Sequence, residues 1–485
     1  MKKPIFSKTK IVTTIGPSSD SKEQIIKMIQ AGVDVYRFNM KHGEVSWLEE
    51  KMNLIRKTCK EMGHRVAILV DLQGQEIRSG YLKNGKLDIK KGEFVWFVSN
   101  QDLVYKSKEK LIVIDRPEAI KTFKKGHKIL IDDGVLEFEV IDKKMVKGDL
   151  FVKAKVINGG VLKNRKGVNL PGICPDIPVL IKRDFDCLSV KNKKDIDYVG
   201  QSFVAKKEHV QELKKELKKR GIKAGVVAKI ERREAVENFE EILAESDAIM
   251  VARGDLGVEI ALHEVPFWQK HMIKRCREVG KPVITATQML ESMVENPIPT
   301  RAEISDVANA VYDGSDAIML SGESSIGKYP VKAVTVMSKE ARFIESKVNY
   351  PKVQTITEEM GQTMAVVMAG NELIECSYKG IFDLSAVVVL SETGKTARYL
   401  SKLRPRLPII GITSNAKVCD RMKMLWGVKP YLFEYKKESE VSIRKILEFL
   451  KQEKEVIKGD KVVMIYGELW GKPGLTSVTR IQAVV

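Results

Sequence analysis

Ser246 to Ile260 reads SDAIMVARGDLGVEI, an apolar run from Ala248 to Ala252 broken by Arg-Gly-Asp-Leu-Gly. Such a run, ended by a turn signal, reads as a buried strand. The device recurs at Ser315 to Glu323, SDAIMLSGE, where the same kind of strand runs into Ser321, Gly322 and Glu323. A strand that ends in Gly and a carboxylate delivers charge to an edge where backbone N–H groups are free. Repeated at successive strand ends, this is how an α/β barrel assembles an active site.

The rhythm extends outward from that stretch. Upstream, KIVTTIG (10–16), VDVYRFNM (33–40) and AILVDL (67–72) read as strands, with helical segments between them. From about Gly74 to Gly172 the helices stop. Short β-like pieces punctuated by Gly, Asp-Asp-Gly and Lys-Gly-Asp follow, which predicts an inserted β-rich unit. Alternation then resumes with DYVGQSF, GVVAKI, AIMVARG, PVITATQ and AIMLSG. Three strands before the insert and five after predict a (β/α)8 TIM barrel with a β-rich lid at its mouth. From about Lys347 a smaller α/β unit with an open sheet begins, with strands SAVVVLS, PIIGIT and KVVMIYG. The expected domains are 1–72 with 173–346 for the catalytic barrel, 73–172 for a β-barrel-like lid, and 347–485 for a C-terminal α/β regulatory domain.

Composition narrows the function classes. The 485 residues suffice for several domains. No run of 18 apolar residues occurs, and the first residues lack the apolar core of a signal peptide, so a cytoplasmic protein without a membrane span is expected. The six cysteines are scattered with no C-x-x-C, which argues against a disulfide framework or a cysteine zinc site. Lys and Arg number 83 against 64 Asp and Glu, a net charge of +19. The lysines are spread as pairs along the chain, so this reads as a solvated basic surface that attracts anionic substrates, and nucleic acid is not the expected partner.

The strand ends supply the chemistry. Arg37, Asn39 and Lys41 alternate onto one face. Asp71, Glu76 and Arg78 follow the third strand, and Lys229 and Glu231 share a face of the fifth. Asp255, Thr287 with Gln288, and Ser321 with Glu323 complete the series. Glu231 and Asp255 are hard oxygen donors suited to Mg²⁺ or Mn²⁺, with water and a substrate oxygen in the remaining positions. Arg37 and Arg78 suit phosphate. Lys229, a point cation beside the metal, suits a transferring phosphoryl group or a developing enolate. The amides of Gly254 and Asp255 open a turn that can hold a carboxylate. A second candidate is SETGKTA, where Ser391, Thr393, Gly394, Lys395 and Thr396 precede a helix. It lacks the first Gly of a Walker A loop, and it reads either as an anion site or as a plain helix cap.

IVTTIGPSS, VDLQGQEIRSG, KGVNLPG, AKIE, VARGDLGVE, ATQMLESM and PTRAEISDVANAVYDGSDAIMLSGES resemble the pyruvate kinase family, in order and over essentially the whole chain. The resemblance implies phosphoryl transfer from phosphoenolpyruvate to ADP, giving pyruvate and ATP, by a homotetramer with a phosphorylated allosteric effector. It implies that Glu231 and Asp255 hold the divalent metal and that Lys229 bridges phosphoryl and enolate oxygens. Thr287 would orient the substrate carboxylate with the Gly254 and Asp255 amides, near the face where the enolate is protonated. Ser321 and Glu323 would belong to the proton relay, and Arg37 would contact phosphate. Pro17, Asn39, His42, Arg78 and Lys166 would frame the nucleotide, with Asp133 on the lid.

The chain departs from the family pattern in one cluster. The family has Ser at Lys41, Thr at Leu72, Lys at Gln73 and Pro at Gln75. The Ser, with Asn39, Asp71 and the carbonyl of residue 72, ordinarily binds potassium. The expectation is that the Lys41 ammonium replaces that ion beside Asp71, with a Lys41–Glu76 pair as a second arrangement. Gln73 and Gln75 predict a looser lid hinge and weaker ADP binding. These departures also motivate the alternative of a catalytically impaired, effector-binding paralogue.

Overall fold

A computed structural model describes residues 4–173, 175, 177–353, 360–435, 440–467 and 476–485. Eight parallel strands close into a barrel: Lys10–Thr14, Val35–Asn39, Ala67–Asp71, Tyr198–Gln201, Gly225–Ile230, Ala248–Ala252, Val283–Ala286 and Ala317–Leu320. They pair in chain order, and the eighth returns to the first through Ile11 opposite Ile318.

Alternation decides what faces inward. Val12, Val35, Leu69, Val227, Met250, Ile284 and Met319 form the interior core. Two residues further along their strands, the same parity brings Thr14, Arg37, Asp71 and Lys229 to the top layer. The outward residues, such as Ile11, Phe38, Val70, Val226 and Ile249, pack against the helices. Met424, from the C-terminal unit, is fully buried in the interior cluster and plugs the barrel floor.

The insert is β-rich, with only short helices at Asp102–Lys106 and Pro117–Lys121. Its strands form a six-stranded sheet and a separate pair, Lys86–Ile89 with Gly160–Lys163, rather than a closed barrel. Phe97 anchors its core edge-to-face against Phe138, with centroids 5.2 Å apart. Among the described residues the C-terminal sheet has five strands. Ala386–Leu390, Ile409–Thr413 and Lys461–Gly467 follow the sequence reading, and two edge strands are added. These are Val428–Leu432 and the antiparallel Thr476–Ala483. This unit is pinned to the barrel by Arg404, whose buried guanidinium reaches Asp316 at 2.9 Å and the Gly314 carbonyl at 2.7 Å.

The neck of the insert is held by one carboxylate. Asp184 accepts the amides of Gln73 (3.0 Å) and Gly74 (3.2 Å) where the chain leaves the barrel. It also accepts the Ile181 amide (3.0 Å) where the chain returns. Burial raises its pKa, and the three amides offset only part of that. Gln75 is buried beside this neck, and its Oε1 finds no partner among the described residues.

Hydrogen bonds to a charged acceptor contribute about 1.5–3 kcal/mol each. Asp184→Ala is therefore expected to speed amide exchange at Gln73 and Gly74 by at least about tenfold while the barrel strands stay protected. Unchanged exchange at both amides would refute the clamp.

Candidate active site

The top layer of the barrel is a chain of buried charges. Arg37 donates Nε to Asp71 Oδ2 at 2.8 Å and Nη2 to the same oxygen at 2.5 Å. Its Nη1 donates to Thr14 Oγ1 at 2.8 Å. Lys229 Nζ lies 3.3 Å from Asp71 Oδ1 and 2.6 Å from Glu231 Oε1. The same ammonium donates to Ser202 Oγ at 2.8 Å, and that hydroxyl donates onward to the Leu72 carbonyl at 2.8 Å. Glu231 Oε2 accepts the Phe203 amide at 2.8 Å.

The charges decide one another's state. Burial alone would lower the Lys229 pKa, but Asp71 and Glu231 outweigh it and push it up, so the ammonium stays protonated. Burial would raise Asp71, yet Lys229 and Arg37 hold it below the usual carboxylate range. Glu231 goes the other way. Burial and the charge of Asp255 push it up despite the adjacent ammonium. Two carboxylates that repel each other this way fit a divalent cation, which would relieve the repulsion. No group of three or more His, Cys, Asp or Glu able to hold a metal occurs among the described residues. An ion held by Glu231 and Asp255 would therefore complete its shell with water and substrate oxygens, which suits Mg²⁺ or Mn²⁺.

The turn that Gly254 and Asp255 were expected to begin is helical. Asp255 lies in the first turn of a short helix, Arg253–Glu259. The Gly254 amide donates to Thr287 Oγ1 at 2.8 Å, and that hydroxyl donates to the Ala286 carbonyl at 2.7 Å. Thr287 and the Gly254 loop are thus joined. Glu323 is fully buried, and burial raises its pKa. Its carboxylate accepts the Leu290 amide (3.0 Å) and the Ser321 amide (2.7 Å). It ties two strand-end loops together, and the Ser321 hydroxyl finds no partner among the described residues.

The expected cation site is rearranged. Asp71 is occupied by Arg37 and Lys229, so Lys41 does not sit on it. The chain turns after Asn39, where the amides of His42 and Gly43 donate to the Asn39 carbonyl. Lys41 therefore leaves the face shared by Arg37 and Asn39. Its ammonium pairs with Glu76 at 2.7 Å, and its own amide donates to Asn39 Oδ1 at 3.2 Å. Glu76 also holds Arg78, which donates Nε at 2.9 Å and Nη1 to the Arg165 carbonyl at 2.9 Å. Lys166 pairs with Asp132 at 2.7 Å on the lid, next to Asp133, and Pro17 is exposed. His42 is exposed, and its pKa is lowered by partial desolvation, then by Lys41 and Arg78.

In the second candidate, Ser391 is buried, and Thr393 Oγ1 accepts the Lys395 amide at 3.4 Å. Gly394 takes φ of +80° ahead of the helix Lys395–Lys402. The Thr396 hydroxyl bonds Thr476 Oγ1 at 2.8 Å, so it is committed within the fold. Trp470 and Lys472, which the sequence offers as sugar-phosphate contacts in the later loop YGELWGKPGLTS (466–477), lie outside the described residues.

Three contributors escaped the sequence reading. Ser202 stands at the end of the fourth strand, where the strand-end rule applied to DYVGQSF would have found it. Arg253 and Asp184 act on backbone carbonyls and amides, which leave no trace in a list of side chains. A cavity of about 750 Å³ lies at the barrel floor, lined by Lys10, Asp34, His64 and Lys423 among others. It contains none of the strand-end residues.

Comparison with known proteins bears on this geometry. Residues 6–334 match the family model for the pyruvate kinase barrel domain, and residues 376–482 match that for the pyruvate kinase alpha/beta domain. A pyruvate kinase of Staphylococcus saprophyticus is 38% identical over 478 residues, covering 98% of this chain and 80% of that protein. One from Staphylococcus aureus is 38% identical over 477 residues, with the same coverage. The crystal structure of a pyruvate kinase from Cryptosporidium parvum superposes with a TM-score of 0.90 at 34% identity, covering 99% of this chain and 96% of that one.

Removing one partner of a buried ion pair costs about 3–5 kcal/mol because the other charge is left unpaired. Asp71→Ala is expected to lower stability by about that amount in urea unfolding. A loss under about 1 kcal/mol would show that Arg37 and Lys229 find other partners.

Proposed function

The chain belongs to the pyruvate kinase family, and from that footing we propose that it is an active glycolytic enzyme that transfers the phosphoryl group of phosphoenolpyruvate to ADP. One observation carries the reading. The Lys229 ammonium is buried and charged between Asp71 and Glu231, beside the carboxylate pair of Glu231 and Asp255.

In this reading Glu231 and Asp255 hold Mg²⁺ or Mn²⁺. When bound, the ion neutralises charge on the phosphoryl and enolate oxygens. Lys229 supplies a fixed positive charge at the same oxygens and cannot drift, because Asp71, Glu231 and Ser202 surround it. Arg37 orients Asp71 and presents its remaining positive field to phosphate. Thr287, with the Gly254 and Asp255 amides, orients the substrate carboxylate near the face where the enolate is protonated, and Ser321 borders that face. Glu323 acts by fixing the loops that carry Ser321 and Leu290. Asn39, His42, Arg78, Lys166 and Pro17 frame the nucleotide, and the lid of residues 73–172 excludes water when it closes. The rest of the reading is a cytoplasmic homotetramer whose C-terminal domain, 347–485, binds a phosphorylated effector near Ser391 to Thr396.

The Lys41–Glu76 pair supports potassium independence by a route other than the one first expected. The ammonium places a fixed cation on Glu76, next to Arg78 and Asn39, while Arg37 and Lys229 neutralise Asp71. The Leu72 carbonyl, ordinarily a potassium ligand, accepts from Ser202 instead.

Pyruvate formation from phosphoenolpyruvate, ADP and Mg²⁺ tests the whole reading, and absence of turnover would favour the effector-binding paralogue. Adding KCl to a potassium-free assay should raise the rate less than about twofold, a barrier change below about 0.5 kcal/mol. Lys41→Ser should acquire potassium activation of at least about tenfold, or about 1.4 kcal/mol. Strong potassium activation of the unaltered chain would end the ammonium proposal and leave the phosphotransfer reading standing.

A further inference from the structure

Thr287 and Gln288 both have left-handed backbones, with φ of +66° and +53°. Neither is glycine, and Thr287 is β-branched, which makes that conformation costly. They follow directly on the seventh strand, Val283–Ala286. Strain of this kind persists only where the surroundings over-determine it.

The surroundings here are mainly one side chain. Arg253 Nε donates to the Ala286 carbonyl at 3.2 Å. Its Nη2 donates to the Thr287 carbonyl at 2.7 Å and lies 3.4 Å from the Gln288 carbonyl. Three successive carbonyls are thus gathered by a single planar fork. The Asp306 carboxylate fixes both terminal nitrogens, with Oδ1 2.7 Å from Nη1 and Oδ2 2.7 Å from Nη2, and Gln269 lies 3.3 Å from Nη1. Arg253 also immediately precedes Gly254, whose amide donates to the Thr287 hydroxyl. Backbone and side chain of Thr287 are therefore both set from residues 253 and 254.

We propose that Arg253 is a positioning residue for Thr287: its guanidinium holds the strained strand-end loop so that the Thr287 hydroxyl stays registered against the Gly254 amide and the reacting face of the substrate. This rests on the phosphotransfer reading above. Arg253 touches no reacting atom and acts only through the loop. Lysine cannot replace it, because an ammonium lacks the planar fork that spans successive carbonyls.

Two measurements on the full chain test the assignment. In a double-mutant cycle, Arg253→Lys should lower kcat about 10²-fold, the scale expected for a displaced catalytic group. Arg253→Lys keeps a positive charge opposite Asp306, so folding is preserved. In a Thr287→Ala background the same substitution should cost less than about threefold, because coupled residues are non-additive. Equal losses in both backgrounds would overturn the proposal. Independently, amide exchange across Thr287 to Leu290 should rise at least about tenfold in Arg253→Lys. Unchanged exchange there would also overturn it. If the unaltered chain shows no turnover, the phosphotransfer reading falls, and the exchange measurement alone decides the role of Arg253.

Discussion

Asp71 is 1% exposed and ionised, and the upper barrel is organised around that fact. A buried carboxylate is tolerated only with cations close enough to offset lost hydration. Arg37 and Lys229 provide them from neighbouring positions in the same inward layer. Lys229 in turn requires Glu231, and Glu231 faces Asp255. Each charge is acceptable because of the next, and the series ends at two carboxylates, Glu231 and Asp255, that share the single ammonium of Lys229. That excess of negative charge is why the pair is proposed to hold a divalent ion. The order of the strands around the barrel thus becomes an order of charges across its mouth.

Much of this was legible in the sequence because inward alternation is a rule of backbone geometry. Val227, Lys229 and Glu231 share a parity, as do Val35, Arg37 and Asn39, so the site residues inherit their direction from the core residues below them. The barrel strands were legible as apolar runs for the same reason. Two C-terminal strands were not. Val428–Leu432 contains Pro430, which argues against a strand interior but is tolerated at an edge. Thr476–Ala483 is a mixed polar edge strand with no apolar run. Of the two arrangements expected for Lys41, the pair with Glu76 is present; the place beside Asp71 was misjudged because its parity was extended past Asn39, where the strand ends and the chain turns. Arg253 was read only as part of a turn motif, since its main partners are backbone carbonyls whose positions depend on the seventh strand, far along the chain.

The loops at the barrel mouth are bound to one another. Gly254 is joined to Thr287, Arg253 to residues 286–288, and Glu323 to Leu290. The sixth, seventh and eighth strand ends therefore form one connected rim. Displacement of any one of them is carried to the others by hydrogen bonds of ordinary length.

The grip of Asp184 on both the outgoing and the returning chain bears on how such an architecture could arise. Gly74 and Ile181 are held by the same carboxylate, so the ends of the inserted segment are already neighbours before the segment is counted. Loop-closure entropy grows only logarithmically with length, so lengthening the connection from a short turn to the whole interval is a modest burden on the barrel. The third and fourth strands pair directly, through Leu69 opposite Tyr198, as if nothing stood between them. To the barrel the lid is an extension of one crossover connection between two parallel strands. Its size, sheet order and surface could have changed through history without the eight strands having to change their register.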